Sequence, residues 1–136
     1  MEDTIFAKII RREIPADIVY EDEHTLAFLD IAPVSKGHTL VVPKKPFRNI
    51  FDVDDETLSH VMHTVRTIAP AVQKAVSADG LNIHSNHESA AGQIVFHLHF
   101  HLLPRFKEDN FIMWPHNSYA PGEAEELGKK IRDALS

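Results

Sequence analysis

Three histidines at strict every-other-residue spacing, His97, His99 and His101, stand in the run F-H-L-H-F-H-L-L-P-R from Phe96 to Arg105. Neutral imidazole keeps a lone pair available near pH 7, so it can attack phosphorus and later leave. Its ring N–H can stabilise charge on phosphoryl oxygens. The same rings also ligate transition metals. On an extended strand successive side chains alternate between faces, so Val95, His97, His99, His101 and Leu103 share one side. Ile94, Phe96, Leu98, Phe100 and Leu102 share the other, which is wholly apolar and expected to be buried. Folding accounts for the apolar side. It does not account for three imidazoles, which are costly to bury unless hydrogen-bonded. Successive histidines lie about 7 Å apart along such a strand. Three in one strand therefore span too far for a single ion at about 2 Å per ligand, and a metal site would need two of them plus another group such as His38.

Local patterns place this run in a framework. Phe6 to Arg12 reads as a short helix that ends before Pro15. Asp17–Glu21 and Thr25–Leu29 read as strands around the Asp22-Glu23-His24 turn. Ala32 to Gly37 is a loop, and His38–Val42 a short strand closed by Pro43. Asp54 is an N-cap candidate for the longest helix. Leu58, Val61, Met62, Val65, Ala69, Val72 and Val76 then recur at helical spacing, and Pro70 predicts a kink or an early break. Leu81–Ser85 reads as a strand, His87–Gly92 as a loop and Ile94–Leu103 as the strand of the three histidines. Residues 104–121 look irregular. Glu123–Leu135 reads as a charged helix with Leu127, Ile131 and Leu135 inward. Strands on both sides of one long helix, with short connections, point to an antiparallel α+β fold.

The chain has 136 residues, one domain over 1–136 with enough length for a core. A formal net charge of −6 argues against coating a nucleic-acid polymer, though a local pocket for a small nucleotide remains compatible. There is no cysteine, hence no disulfide framework and no thiol nucleophile. The first fifteen residues do not read as a signal peptide, and no stretch approaches transmembrane length, so no membrane role and a cytoplasmic location are expected.

H-L-H-F-H-L-L resembles the His-φ-His-φ-His-φ-φ signature of the histidine triad (HIT) family of nucleotide-binding hydrolases and transferases. TIFAKIIRREIPADIVYEDE resembles that family's N-terminal segment, LAFLDIAPVSKGHTLVVPKK its nucleoside-binding segment, and AAGQIVFHLHFHLLPR its catalytic strand with the Gly-Gln approach. The match covers roughly residues 4–105, leaving 106–136 as a tail and helix. The resemblance implies a HIT-like α+β fold, a five-stranded antiparallel sheet with one long helix and a C-terminal helix, and a homodimer. It implies His99 as nucleophile, flanked by His97 and His101, with His38 serving proton transfer on the leaving-group side. It places Asp30 on the ribose hydroxyls, with Phe6, Phe28 and Ile31 around the base. Asn86 would lie near the α-phosphate or leaving group, and Gly92, Gln93 and Ile94 would form the loop that the phosphate approaches. The substrate would carry a purine nucleoside monophosphate joined to an amine, phosphate or similar group. Hydrolysis through a nucleotidyl-histidine would release the monophosphate, with no cofactor.

Departures from the family pattern are informative. Ile94 stands where several branches place a polar side chain. Thr4, Ala7 and Pro46 stand where some bacterial-type relatives have ligands of a structural zinc, so no such zinc is expected. His101 stands where the transferase branch has glutamine, which favours hydrolysis. Two other classes stay open: a non-catalytic nucleotide-binding module on the same fold, and a histidine-ligated metal hydrolase. Among the remaining residues, His60 and His63 read as exposed helix positions, and His84 and His87 as surface or pocket-lining. Lys44, Lys45 and Arg48 read as a solvated loop, and Trp114 as a packed aromatic.

Overall fold

A computed structural model of the chain describes residues 3–135; the remaining residues of the 1–136 domain, numbers 1, 2 and 136, lie outside it. Helix α1 spans Ile5–Ile10, and Thr4 caps it by accepting the Ala7 N–H at 3.1 Å. Strands β1 (Ile18–Glu21), β2 (Thr25–Leu29), β3 (Thr39–Pro43), β4 (Gly80–His84) and β5 (Phe100–Arg105) form one antiparallel sheet in the order β1-β2-β3-β5-β4. Helix α2 spans Asp55–Ala75 and α3 spans Glu123–Ala134. The α+β architecture read from the sequence is the one observed.

The two helices nearest the sheet lie on opposite faces, as the strand alternation requires. Ala27, Val41 and Leu102 face α2 and pack with Val61, Val65, Ile68 and Val72. Leu26, Phe28, Leu40 and Val42 face the other way and pack with Phe6 and Ile9 of α1. Asp54 does cap α2, accepting the Thr57 N–H at 2.8 Å. The helix does not break at Pro70. The proline stands on the exposed side, and the buried Ile68 and Val72 hold the turns around it. The buried stripe differs from the expected one in detail. Met62 is exposed, while Thr57, Thr64 and Ile68 are buried. Thr64 is tolerated there because its hydroxyl meets that of Thr25 at 2.7 Å.

Further expectations fail. The histidine strand begins only at Phe100, because β3 ends at Pro43, which has no N–H to continue the ladder. Residues 93–98 bond instead to the 47–48 segment, with Leu98 N–H on the Phe47 carbonyl at 2.8 Å. Strict alternation is therefore lost upstream of Phe100, and Ile94 is 86% exposed rather than buried. The C-terminal helix also has no inward side within the chain. Leu127, Ile131 and Leu135 are exposed, and so is Trp114, at 88%. No helix among the described residues is long and apolar enough to cross a membrane.

Candidate active site

The site is built where β3 and β5 meet on the α1 face. Leu40 pairs with His101, and Phe100 with Val41, so β5 delivers His101 to the same face as Leu40. His38 precedes β3 and sits beside it. Ser85, just after β4, donates its hydroxyl to the His99 carbonyl at 2.7 Å and so extends the ladder by a side chain. Phe6 closes the face from α1, with its ring edge-on to His99 at 4.9 Å and to His97 at 6.3 Å. His97 and His99 are consequently buried rather than part of a solvated sheet face.

The hydrogen bonds determine which ring nitrogen bears each proton. A carbonyl can only accept, so His99 Nδ1, 2.7 Å from the His97 carbonyl, carries hydrogen and leaves the Nε2 lone pair free. By the same argument His97 Nε2 donates to the Pro43 carbonyl at 2.8 Å. A backbone N–H can only donate, so His38 Nδ1 accepts from Val34 at 3.1 Å. His38 Nε2 then bears a proton and gives it to His101 Nδ1 at 2.9 Å. His101 is left with its hydrogen on Nε2. One ring thus offers an unshared lone pair and its neighbour offers a donor, with the two rings edge-to-face at 4.9 Å.

Burial keeps these imidazoles neutral. Desolvation lowers the basicity of His38, His97 and His99, and Asp30 only partly offsets it at His38. His101 is pushed to about 4 by burial first, then by His99, His84 and His38. Each group is charged more readily in the unfolded chain, which binds more protons below about pH 6.5. Stability is therefore expected to fall as the pH drops from 7 towards 5. The carboxylates do not explain a loss in that window. Asp22, although burial raises it, is held at about 2 by the N–H groups of His24 and Thr25, and Glu88 at about 2 by Arg48 and then Asn49. A melting temperature that stays flat between pH 7 and 5 would contradict neutral burial of the histidines.

Asp30, Ile31 and Phe28 lie at the end of β2 beside His38. Asp30 Oδ1 accepts the Ala32 N–H at 2.8 Å, while Oδ2 lies 3.7 Å from His38 Nε2. Ile31 is exposed and Phe28 buried, its ring edge-on to Phe6 at 5.5 Å. The ligand atoms of Asp30, His38 and His101 lie within 4.8 Å of one another, spacing that suits a cation. The tautomers oppose it. A metal on His38 Nε2 would replace the proton given to His101, while Val34 already occupies the other nitrogen. The donor set as hydrogen-bonded does not fit a resident metal.

On the other flank, residues 86–95 form a loop with a single 3-10 turn over Ser89–Ala91. Gly92 holds φ +92°, which favours glycine; a Cβ there would meet only Asn86, at an ordinary 3.6 Å. The Gln93 side chain is buried and fully engaged. Its oxygen accepts from Glu88 N–H at 2.8 Å and Asn49 at 3.0 Å, and its nitrogen donates to the carbonyls of Arg48 at 2.8 Å and Val95 at 3.2 Å. It holds the loop rather than facing a ligand. Asn86 reaches the Gly92 carbonyl only at 3.5 Å, leaving its amide largely uncommitted. Ile94 projects into solvent.

Several contributors escape a sequence reading. Val34 and Ser85 act through bonds that only the fold creates. Asn49, buried among polar partners, had no motif to mark it. Arg48 is exposed, as read from the sequence, but it also grips Glu88 with two bonds of 2.8 Å. His84 stacks on His101 with ring centroids 4.6 Å apart. Glu88 stands at φ 77°, ψ 159°, a region nearly reserved for glycine, at a cost of about 1–3 kcal/mol.

Residues 11–108 match the family model described as HIT domain. The protein named hit of Bacillus subtilis is 42% identical over 139 aligned residues, which take in 99% of this chain and 96% of that protein. The adenosine 5′-monophosphoramidase of Schizosaccharomyces pombe is 36% identical, with 96% of this chain and 97% of the relative aligned. A crystal structure from Streptococcus mutans superposes with a TM-score of 0.94 at 43% identity, covering 100% of this chain and 87% of that one.

Proposed function

This chain belongs to the HIT family, and from that premise we propose that it is a nucleotide hydrolase acting through His99. The substrate on this reading is a purine nucleoside 5′-phosphoramidate or a dinucleoside polyphosphate. The observation that carries it is the His99 ring, with Nδ1 tied to the His97 carbonyl and the Nε2 lone pair unshared. That lone pair attacks the α-phosphorus. The bond to the leaving nitrogen or oxygen breaks, and its electron pair departs with the leaving group, which takes up a proton. Water then attacks phosphorus, breaks the N–P bond and releases the nucleoside monophosphate, so that one water is consumed overall.

The other residues serve this step through the bonds already described. His38 keeps His101 in the tautomer whose Nε2–H can meet the phosphoryl oxygen or the leaving atom. His97 supplies the carbonyl that orients the nucleophile. Asp30 accepts from the ribose hydroxyls, and Phe6, Phe28 and Ile31 border the base. Asn86 and the Gly92–Ile94 backbone receive the phosphate. Neutral imidazoles at pH 7 suit nucleophilic attack, since a protonated ring has no lone pair to offer. The relative from Schizosaccharomyces pombe, an adenosine 5′-monophosphoramidase, supports the phosphoramidate branch.

The test is AMP release from adenosine 5′-phosphoramidate and from diadenosine polyphosphate in excess EDTA. Chelator-resistant release is expected, and the preferred compound identifies the leaving group. AMP binding without release would favour a binding module, and activity lost to EDTA but restored by zinc would favour the metal hydrolase. The same reading makes the protein a cytoplasmic homodimer. Ile112, Trp114, Ile131 and Leu135 are apolar side chains that the single chain leaves exposed, as a subunit contact would require. Sedimentation at twice the chain mass is expected, and a monomer at micromolar concentration would contradict it.

A further inference from the structure

Glu88 occupies a backbone conformation that glycine would adopt without strain, yet it carries a long charged side chain. That side chain has specific work. Its Oε2 accepts from Arg48 Nε at 2.8 Å and from Asn49 Nδ2 at 2.7 Å, and its Oε1 accepts from Arg48 Nη2 at 2.8 Å. Its own N–H donates to Gln93, and its carbonyl receives the N–H groups of Ala91 and Gln93. The Arg48 guanidinium also lies 4.2 Å from the Phe96 ring centre. One cation thus holds both ends of the stretch 88–96, within which Gly92, Gln93 and Ile94 lie. A second tie runs beside it, from Ile50 N–H to His87 Nδ1 at 3.0 Å.

We propose that Glu88 and Arg48 are positioning residues for catalysis, an ion-pair clamp that forces the phosphate-facing loop into a strained shape and holds it against His99. The inference rests on the hydrolase reading above. Without the clamp, the loop is expected to relax into shapes in which the Gly92–Ile94 backbone and Asn86 no longer converge on phosphorus. Loss of that convergence lowers kcat more than it weakens ground-state binding, because the donors are most needed where charge develops.

Glu88→Gly separates positioning from stability, since it removes the clamp but also removes the strain. With adenosine 5′-phosphoramidate, kcat is expected to fall about tenfold or more with KM changed less than threefold, and the melting temperature is expected to hold. Arg48→Ala should lower kcat likewise, with some loss of melting temperature because Glu88 stays strained without its partner, and the kcat of the double variant should be little worse than that of either single one, as for partners in one interaction. Glu88→Gln, which keeps the shape but removes the charge and sets an amide N–H against an Arg48 donor, should lose kcat as Glu88→Gly does. Amide exchange in the 89–96 segment provides a readout independent of turnover, and should quicken in Glu88→Gly and Arg48→Ala. A kcat within twofold of wild type in both variants would overturn the clamp whatever their stability, as would unchanged exchange. Wild-type protein inactive on every nucleotide would instead overturn the hydrolase reading, and exchange alone would then decide whether the clamp holds the loop.

Discussion

His99→Ala is expected to lower AMP release roughly ten-thousand-fold, with or without EDTA, while leaving the fold intact. The magnitude follows from the role. Without an imidazole at 99 the two-step route through a covalent intermediate is closed, and only direct attack by water remains. His101 cannot take over, because its Nδ1 accepts the His38 proton and its Nε2 bears hydrogen. His97 cannot either, since its Nε2 is committed to Pro43 within the buried face. Some stability should also be lost, because the His97 carbonyl forfeits its partner. Circular dichroism and the melting curve separate that modest effect from inactivity. A variant that keeps a tenth of wild-type turnover would eliminate His99 as nucleophile.

Leu102→Ala is expected to have the largest effect on stability. Leu102 is 0% exposed and occupies the middle of β5, between Thr39 of β3 and Ile83 of β4. Its side chain belongs to the cluster with Val41, Val61, Val65 and Ile68, where sheet and α2 meet. Truncation removes buried methyl groups and leaves a cavity that two rigid elements cannot close, at a cost of about 3–4 kcal/mol. For a domain of this size that lowers the melting temperature by roughly 10 °C. Turnover at low temperature should persist, because Leu102 points away from the face that carries His101. A loss below about 1 kcal/mol would show that the α2 interface is not the main core.

Much of the fold was legible because local signals and tertiary structure agree. The Asp54 cap, the strand pair around Asp22 and the period-3.6 stripe of α2 each have a local cause that packing reinforces. The candidate site's histidines stood out for a different reason: three imidazoles in alternation have no ordinary role in a core. What remained hidden depended on contacts distant in sequence. Pro43 ends the β3–β5 ladder, so the first two histidines leave the regular strand while still facing the site. Gln93 reads as part of the loop that the phosphate approaches, and nothing in the sequence shows that its side chain spends its amide on Arg48, Asn49, Glu88 and Val95. Nothing near Arg48 in the sequence marks its partner forty residues away. The apolar stripe of α3 implies an interior, yet Leu127, Ile131 and Leu135 are all exposed in the single chain.

The covalent step is the centre of the account, and rapid quenching tests it directly. Wild-type protein is mixed with adenosine 5′-phosphoramidate in EDTA, denatured within milliseconds at alkaline pH and digested for mass spectrometry. The account predicts a transient adenylyl adduct on His99 that forms and decays at rates consistent with turnover. Turnover with no adduct on any histidine, or with the adduct on His97 or His101 instead, would contradict it.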